Sequence, residues 1–257
     1  MSIPAVFPVY RYVNAPDTMA WLVRAFGFTV QADYRTPDGL VAHAELRRGA
    51  TVFGVSSKTP ATKDNPWSEV RSGVYVRVDD ADAAYARACA AGADVAIALK
   101  DTSYGSREFS LRDPEGRLWS IGTYAMGASA GTPDLFVGLR YDDGKRATAW
   151  LEKALGFAPG LSVDCGGGRI EHAEEWLDED TVMISGAGAS AKLWNGDRDC
   201  VYGWIADPDA HCAQAASAGA RIVQQPADTP YGARGYYARD PESLLWGFGT
   251  YRPDRHL

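Results

Sequence analysis

The chain has 257 residues, 46% of them hydrophobic and 23% charged, and a formal net charge of -7 spread without long runs. Nucleic acid is excluded as an expected partner, because phosphate binding needs a positive surface. No segment approaches the roughly 20 apolar residues of a membrane span, and the first residues, MSIPAVFPVYRYV, lack a basic region followed by an apolar stretch, so a cytoplasmic protein is expected.

In chain order, VFPVYRYV is strand-like, and Pro16 and Asp17 open a helix whose Met19, Leu22, Val23 and Phe26 recur at i, i+3, i+4, i+7 before Gly27 stops it. Three strands follow, FTVQADYR, LVAHAELRR and TVFGVSS, the first two joined at the tight-turn sequence Pro37-Asp38-Gly39. This is a β-α-β-β-β module. After a polar loop with Pro60 and Pro66 the pattern restarts: strand GVYVRV, a helix start at Asp79-Asp80, helix ADAAYARACAAGA, and strands DVAIALK, SREFSLRD and RLWSIGTY.

The second half repeats the first. DTSYGSREFSLRDPEGRLWSIGTY (Asp101 to Tyr124) returns as DTPYGARGYYARDPESLLWGFGTY (Asp228 to Tyr251) without a gap, an offset of 127 (Asp113 to Asp240). Upstream, Trp21, Gly27, Phe28 and His43 recur at Trp150, Gly156, Phe157 and His172, an offset of 129. The chain is therefore read as two domains, 1–125 and 133–257, joined by a linker of small residues, Gly and Pro over 126–132. The module occurs four times, and the fold class is α+β. Cys89, Cys165, Cys200 and Cys212 form no CxxC pair and are read as reduced thiols.

FxAFGF, HAEL, VDDxDAxxARAxAAGA and YGxRxxxxxDPEGxxWxxGTY together resemble the vicinal-oxygen-chelate superfamily, which includes glyoxalase I, bleomycin-resistance proteins and extradiol dioxygenases. The resemblance covers about residues 4–125 and 133–252 and implies paired modules whose curled sheets enclose clefts. Members that are enzymes typically hold a divalent metal with His, Gln and Glu on the first and last strands of paired modules. Carried over by motif, those positions are Phe7, Gly54, Gly73 and Ser120, then Phe136, Ile184, Cys200 and Gly247. Only Cys200 is a competent ligand, whereas a hard cation needs several converging oxygen or imidazole donors. No metal and no other cofactor is expected.

Alternation along the strands places Tyr75 and Arg77 beside Gly73, and Tyr202 and Trp204 beside Cys200, facing the clefts with Phe7 and Phe136. With Arg11 and Arg140 at the edge, this suits a flat apolar or aromatic molecule bearing an acidic or carbonyl group. The plain alternative is that the rings fill the core. His43 and His172 each precede a glutamate by two residues, Glu45 and Glu174, on the same strand face; the pairs are either acid/base dyads or structural hydrogen bonds. Arg107 and Arg234, in YG-x-R, either clamp an anionic ligand or pair with Asp113 and Asp240. Trp119 and Trp246 are expected under the helices, and His211, on a helix, and His256 are expected to have no functional role. Gly166-Gly167-Gly168 is read as a loose hairpin.

The expected function is that of a metal-free binding protein of the bleomycin-resistance type, sequestering a planar or aromatic antibiotic or metabolite. The alternative is a metal-independent isomerase, epimerase or lyase using His43 or His172 as acid/base; a third is a metal-dependent glyoxalase or dioxygenase with displaced ligands. The copies are expected to pair about an approximate two-fold axis, as a fused dimer that is monomeric as a chain, with further dimerisation left open.

Overall fold

The computed structural model describes residues 5–60 and 70–253, apart from 104, 113, 115, 126–130, 132, 167–168, 187–198, 230–231 and 242. The first domain runs β1 (Val6–Tyr12), α1 (Ala15–Phe26), β2 (Thr29–Arg35), β3 (Val41–Arg48), β4 (Thr51–Ser57), β5 (Ser72–Arg77), α2 (Ala81–Ala90), β6 (Asp94–Asp101), β7 (Arg107–Arg112) and β8 (Leu118–Gly122). The second runs β9 (Leu135–Arg140), α3 (Gly144–Trp150), a single π-turn (Leu151–Leu155), β10 (Ala158–Asp164), β11 (Ile170–Leu177), β12 (Asp180–Ser185), β13 (Asp199–Trp204), α4 (Pro208–Ser217), β14 (Arg221–Asp228), β15 (Arg234–Arg239) and β16 (Leu245–Gly249). Four β-α-β-β-β modules result. Most of the linker, together with Tyr104, Asp113, Gly167, Gly168, Tyr231 and His256, lies outside the described residues.

Helix starts follow the local chemistry. Asn14, Asp80, Asp143 and Asp207 each accept a hydrogen bond from a backbone N–H of the first turn, satisfying a donor that the helix leaves open. Gly27 ends α1 at φ 71 and Gly156 ends the π-turn at φ 79, left-handed positions that a side chain would strain.

Each domain is one eight-stranded mixed sheet, ordered β2-β3-β4-β1-β5-β8-β7-β6 and β10-β11-β12-β9-β13-β16-β15-β14. The modules of a domain join through their first strands, antiparallel, with Phe7 opposite Tyr75 and Phe136 opposite Tyr202. The other face of each first strand's module carries its helix, and these helix-bearing faces meet between the domains.

The two large cores are shared between domains. In one, Tyr10, Trp21, Phe26 and Phe53 of the first module pack with Ile205, Tyr236, Trp246 and Phe248 of the fourth. In the other, Val74, Ala88, Phe109 and Trp119 of the second module pack with Leu139, Leu151, Phe157 and Ile184 of the third. Exchanging the copies maps the first contact onto the second, which is the reciprocity of an isologous interface. Trp119 and Trp246 are fully buried against helices, as the sequence implied, and they reach helix residues of the other domain as well. Trp246 is ringed by Tyr10, Phe26, Phe28 and Phe53, and Trp119 by Trp150 and Phe157, so each crosses to the other domain.

Polar bonds fix the interface. The Tyr12 hydroxyl donates to Asp240 Oδ2 at 2.7 Å, Trp21 Nε1 donates to the Ala218 carbonyl at 2.7 Å, and the Val6 N–H donates to Asp180 Oδ2 at 2.8 Å. Arg117 reaches Asp199 at 2.5 Å and lies over the Tyr141 ring. His211 is half-buried here too. Its Nδ1 lies 2.7 Å from the Tyr236 hydroxyl, and its Nε2 lies 3.3 Å from Arg48 Nη1 and 3.5 Å from the Phe26 carbonyl. Burial, and then Arg48, push this imidazole down to about 4, so it stays neutral. Its role is interdomain packing.

Candidate functional site

The face of the first sheet turned away from the interface encloses a cavity of about 980 Å³. β1 supplies Val9 and Arg11, and register places Gly54 of β4 and Gly73 of β5 opposite Val9, so two side-chain-free positions flank the floor. Tyr75, opposite Phe7 on one side and Ser120 on the other, forms one wall, and its ring is 6.4 Å from that of Phe7. Ser110 of β7 pairs with Ser120, their hydroxyls 3.3 Å apart. Tyr34, His43 and Tyr124 close the opposite side.

Arg11 lies on this wall and is only 8% exposed. Its Nη2 donates to Thr59 Oγ1 at 3.0 Å, its Nε is buried without a partner, and among the described residues no carboxylate pairs with it. Burial pulls its pKa down from the ordinary arginine value, yet a guanidinium stays charged. An unpaired cation in a partly apolar cavity is a demand for an anion.

His43 faces the same cavity. Its Nε2 is 3.1 Å from Oε1 of the buried Glu45, and the Tyr124 hydroxyl donates to that same oxygen at 2.8 Å. The Tyr124 N–H in turn donates to the Tyr75 hydroxyl at 2.9 Å. Burial and Glu45 both push the Tyr124 phenol upward, so it remains a protonated donor. Tyr34 stacks on the imidazole at 6.2 Å, and Tyr124 meets it edge-on at 5.7 Å. Glu45 belongs to the first module and Tyr124 follows the last strand of the second, so their bond clasps the two modules across the cup.

The second domain repeats the clasp: His172 Nε2 is 3.4 Å from Glu174 Oε1, the Tyr251 hydroxyl donates to that oxygen, and Tyr202 donates to the Tyr251 carbonyl at 3.1 Å. Phe136 and Tyr202 repeat the ring pair at 6.3 Å, and Arg140 repeats the buried unpartnered Nε of Arg11. Trp204 differs from its counterpart Arg77: the Arg252 guanidinium sits 4.3 Å over its ring and is anchored to Asp134 at 2.6 Å.

Several sequence expectations change. Arg77 pairs with Asp79 at 2.5 Å and is not on the cavity wall. Arg107 is held by both oxygens of Asp82, at 2.7 and 2.9 Å, and by Asp101 at 3.1 Å; Arg234 is held by Asp209 and Asp228 in the same way. These two arginines pin a helix start to an edge hairpin at the surface, and a guanidinium so saturated has no fork left for a ligand. Asp240 serves Tyr12, the Leu244 N–H and Trp246, not Arg234. Ile184 faces the shared core, and Met183, opposite Gly138, is the residue turned toward the second cup. Tyr34 and Tyr124 were missed. Tyr124 had a signal, since Tyr251 repeats it; Tyr34 had none, since Val163 stands at its place opposite the second histidine.

The donor set does not fit the family's metal. The eight cup-facing strand positions hold Phe7, Gly54, Gly73, Ser120, Phe136, Met183, Cys200 and Gly247. No three His, Cys, Asp or Glu side chains converge among the described residues. At these eight positions, a hydroxyl in one cup, and a thioether with a thiol in the other, give no basis for a hard divalent ion.

Comparison with known proteins agrees with the fold. The profile of the Glyoxalase/Bleomycin resistance protein/Dioxygenase superfamily matches residues 8–121 and again 135–248, and the chain belongs to that superfamily. An uncharacterised protein of Mycobacterium bovis is 33% identical over 129 residues, covering 46% of this chain and 82% of its own. A Mycobacterium tuberculosis counterpart is also 33% identical over 129 residues, covering 46% and 74%. Among solved structures, the 2,3-dioxygenase LapB from Pseudomonas sp. KL28 aligns with TM-score 0.69 at 12% identity over 100% of this chain and 96% of its own. The Mn(II)-bound glyoxalase from Novosphingobium aromaticivorans aligns with TM-score 0.66 at 14% identity over 98% and 83%. At such identities the likeness is one of fold. No helix among the described residues is long and apolar enough to cross a membrane.

Proposed function

We propose that the cup of the first domain binds a flat, anionic small molecule without a metal, as a binding protein of the bleomycin-resistance type would. Arg11 carries the reading: a buried guanidinium that no carboxylate among the described residues pairs with, on the wall of a cavity that also presents Tyr34 and Tyr75. The rings supply stacking area and Arg11 the counter-charge, the usual division of labour in a small-molecule site. Exposed, unpaired Cys89 and Cys165 suit a reducing, cytoplasmic setting.

A second reading is favoured by one observation. The His43–Glu45 pair opens onto the same cavity, which suits a metal-independent isomerase, epimerase or lyase with His43 as acid/base. Against it, the same His–Glu–Tyr set recurs in the second domain with the same bonding, as expected of a clasp that holds modules together.

The test uses anilinonaphthalene sulfonate, an aromatic anion with a flat naphthalene ring system, as probe. The chain should bind it with loss of affinity as salt rises, and Arg11→Gln should weaken binding about 10-fold to 100-fold, the range of a charge-assisted hydrogen bond. His43→Gln should leave affinity near that of the unmodified chain. Affinity unaffected by Arg11→Gln, or a stoichiometric divalent ion retained through dialysis, would overturn the proposal.

A further inference from the structure

The two cups share their clasp and ring pair, yet their floors differ at five register-matched positions. Around β1, the first cup has Val9 flanked by Gly54 and Gly73, with Ser110 opposite Ser120. Around β9, the second has Gly138 flanked by Met183 and Cys200, with Tyr237 opposite Gly247. The exchange of Val9 for Gly138 and Ser120 for Gly247 returns only part of the space, so the second set carries twice as many side-chain heavy atoms.

Those atoms are packed. Cys200 is 4% exposed and clusters with Leu245 and Tyr237. A methyl group on Gly247 would meet the Tyr237 ring at 2.9 Å and the Tyr202 ring at 3.1 Å, and one on Gly138 would meet the Cys200 sulfur at 3.5 Å. The glycines of the second cup are therefore not openings; they let Tyr237 and Cys200 lie flat across the floor.

We propose that the chain has a single ligand site, in the first domain, and that Met183, Cys200 and Tyr237 fill the second cup with the chain's own side chains. Ser110 is then the residue that sets the depth of the working cup, because its counterpart Tyr237 is the largest of the three fillers. The inference rests on the binding function proposed above and adds which half performs it. The ligand it selects is deeper than a single ring, since the space Tyr237 occupies in one cup is open in the other.

Titration with anilinonaphthalene sulfonate, followed by calorimetry, separates the two ideas by stoichiometry. The unmodified chain should bind one equivalent. Ser110→Tyr should abolish binding while thermal unfolding stays cooperative. Met183→Gly with Tyr237→Ser should raise the count to two; should that variant fail to fold, Ser110→Tyr still decides. Two equivalents on the unmodified chain, or one retained by a folded Ser110→Tyr variant, would overturn the single-site assignment while leaving the binding function intact. No binding by the unmodified chain would instead remove the binding function, and this inference with it.

Discussion

Asp180 is a fully buried carboxylate at the domain interface. Its Oδ2 accepts from the Val6 N–H of the other domain at 2.8 Å, and its Oδ1 from the Thr181 N–H at 3.2 Å. Burial outweighs these donors and pushes its pKa from an ordinary 3.8 up to about 7. Between those values the folded chain holds a proton that the unfolded chain releases, so stability falls as pH rises. The contribution is fully present below about pH 3.8 and lost above about pH 7. A shift of about three units corresponds to about 4 kcal/mol, of which about 3 kcal/mol disappears between pH 5 and pH 8. Asp180→Asn removes the ionisation at nearly constant shape. Urea unfolding followed by tryptophan emission at pH 5, 6, 7 and 8 should show the unmodified chain losing about 3 kcal/mol more than the variant over that range. Glu175, also pushed up to about 7 by burial and then by Glu152, is present in both and leaves each a slope of its own. Because Asn places an amino group where Thr181 N–H needs an acceptor, the slope, not the absolute stability, is the readout. Equal slopes in the two proteins would refute the reasoning.

Tyr12→Phe removes the hydroxyl donor to buried Asp240 and should cost about 1–3 kcal/mol in the same unfolding assay. Trp246→Ala empties a site ringed by four aromatic side chains of the other domain and should cost about 3–5 kcal/mol. Tyr124→Phe takes one of the donors from Glu45 and loosens the clasp across the first cup; anilinonaphthalene sulfonate should dissociate faster, measured by stopped flow, with the second domain's clasp unaffected. Because the interface is already self-complementary within one chain, sedimentation should give a single species near 27.7 kDa, whereas residues 1–125 alone should pair with a second copy or aggregate.

The repeat made the architecture legible, since identical residues at a fixed offset need no knowledge of structure to be seen. The cup-facing parity of Phe7, Arg11 and Tyr75 was also readable, because β1 and β5 are anchored by motifs on either side. β12 was not. Its TVMI run is buried on both faces, so no alternation marks which residues face the cup, and Ile184 was placed where Met183 belongs. The partners of Arg107 lie 25 and 6 residues away, and only the packing of α2 against the edge hairpin brings Asp82 and Asp101 together on it. For Trp119 and Trp246, hydrophobicity announces a core but not which domain supplies its other half.

The sharing of both cores has a consequence for synthesis. When the first domain has left the ribosome, Tyr10, Phe26 and Phe53 on one module and Phe109 and Trp119 on the other still lack the surfaces that cover them. At ordinary elongation rates the missing half arrives about 6 to 26 seconds later. For that interval the nascent chain carries a wide aromatic face whose complement has not been made, and a neighbouring chain at the same stage offers the same face. The order of translation thus makes the chain a client for transient shielding, and slowing elongation within the second half should lower the yield of folded protein more than slowing it within the first.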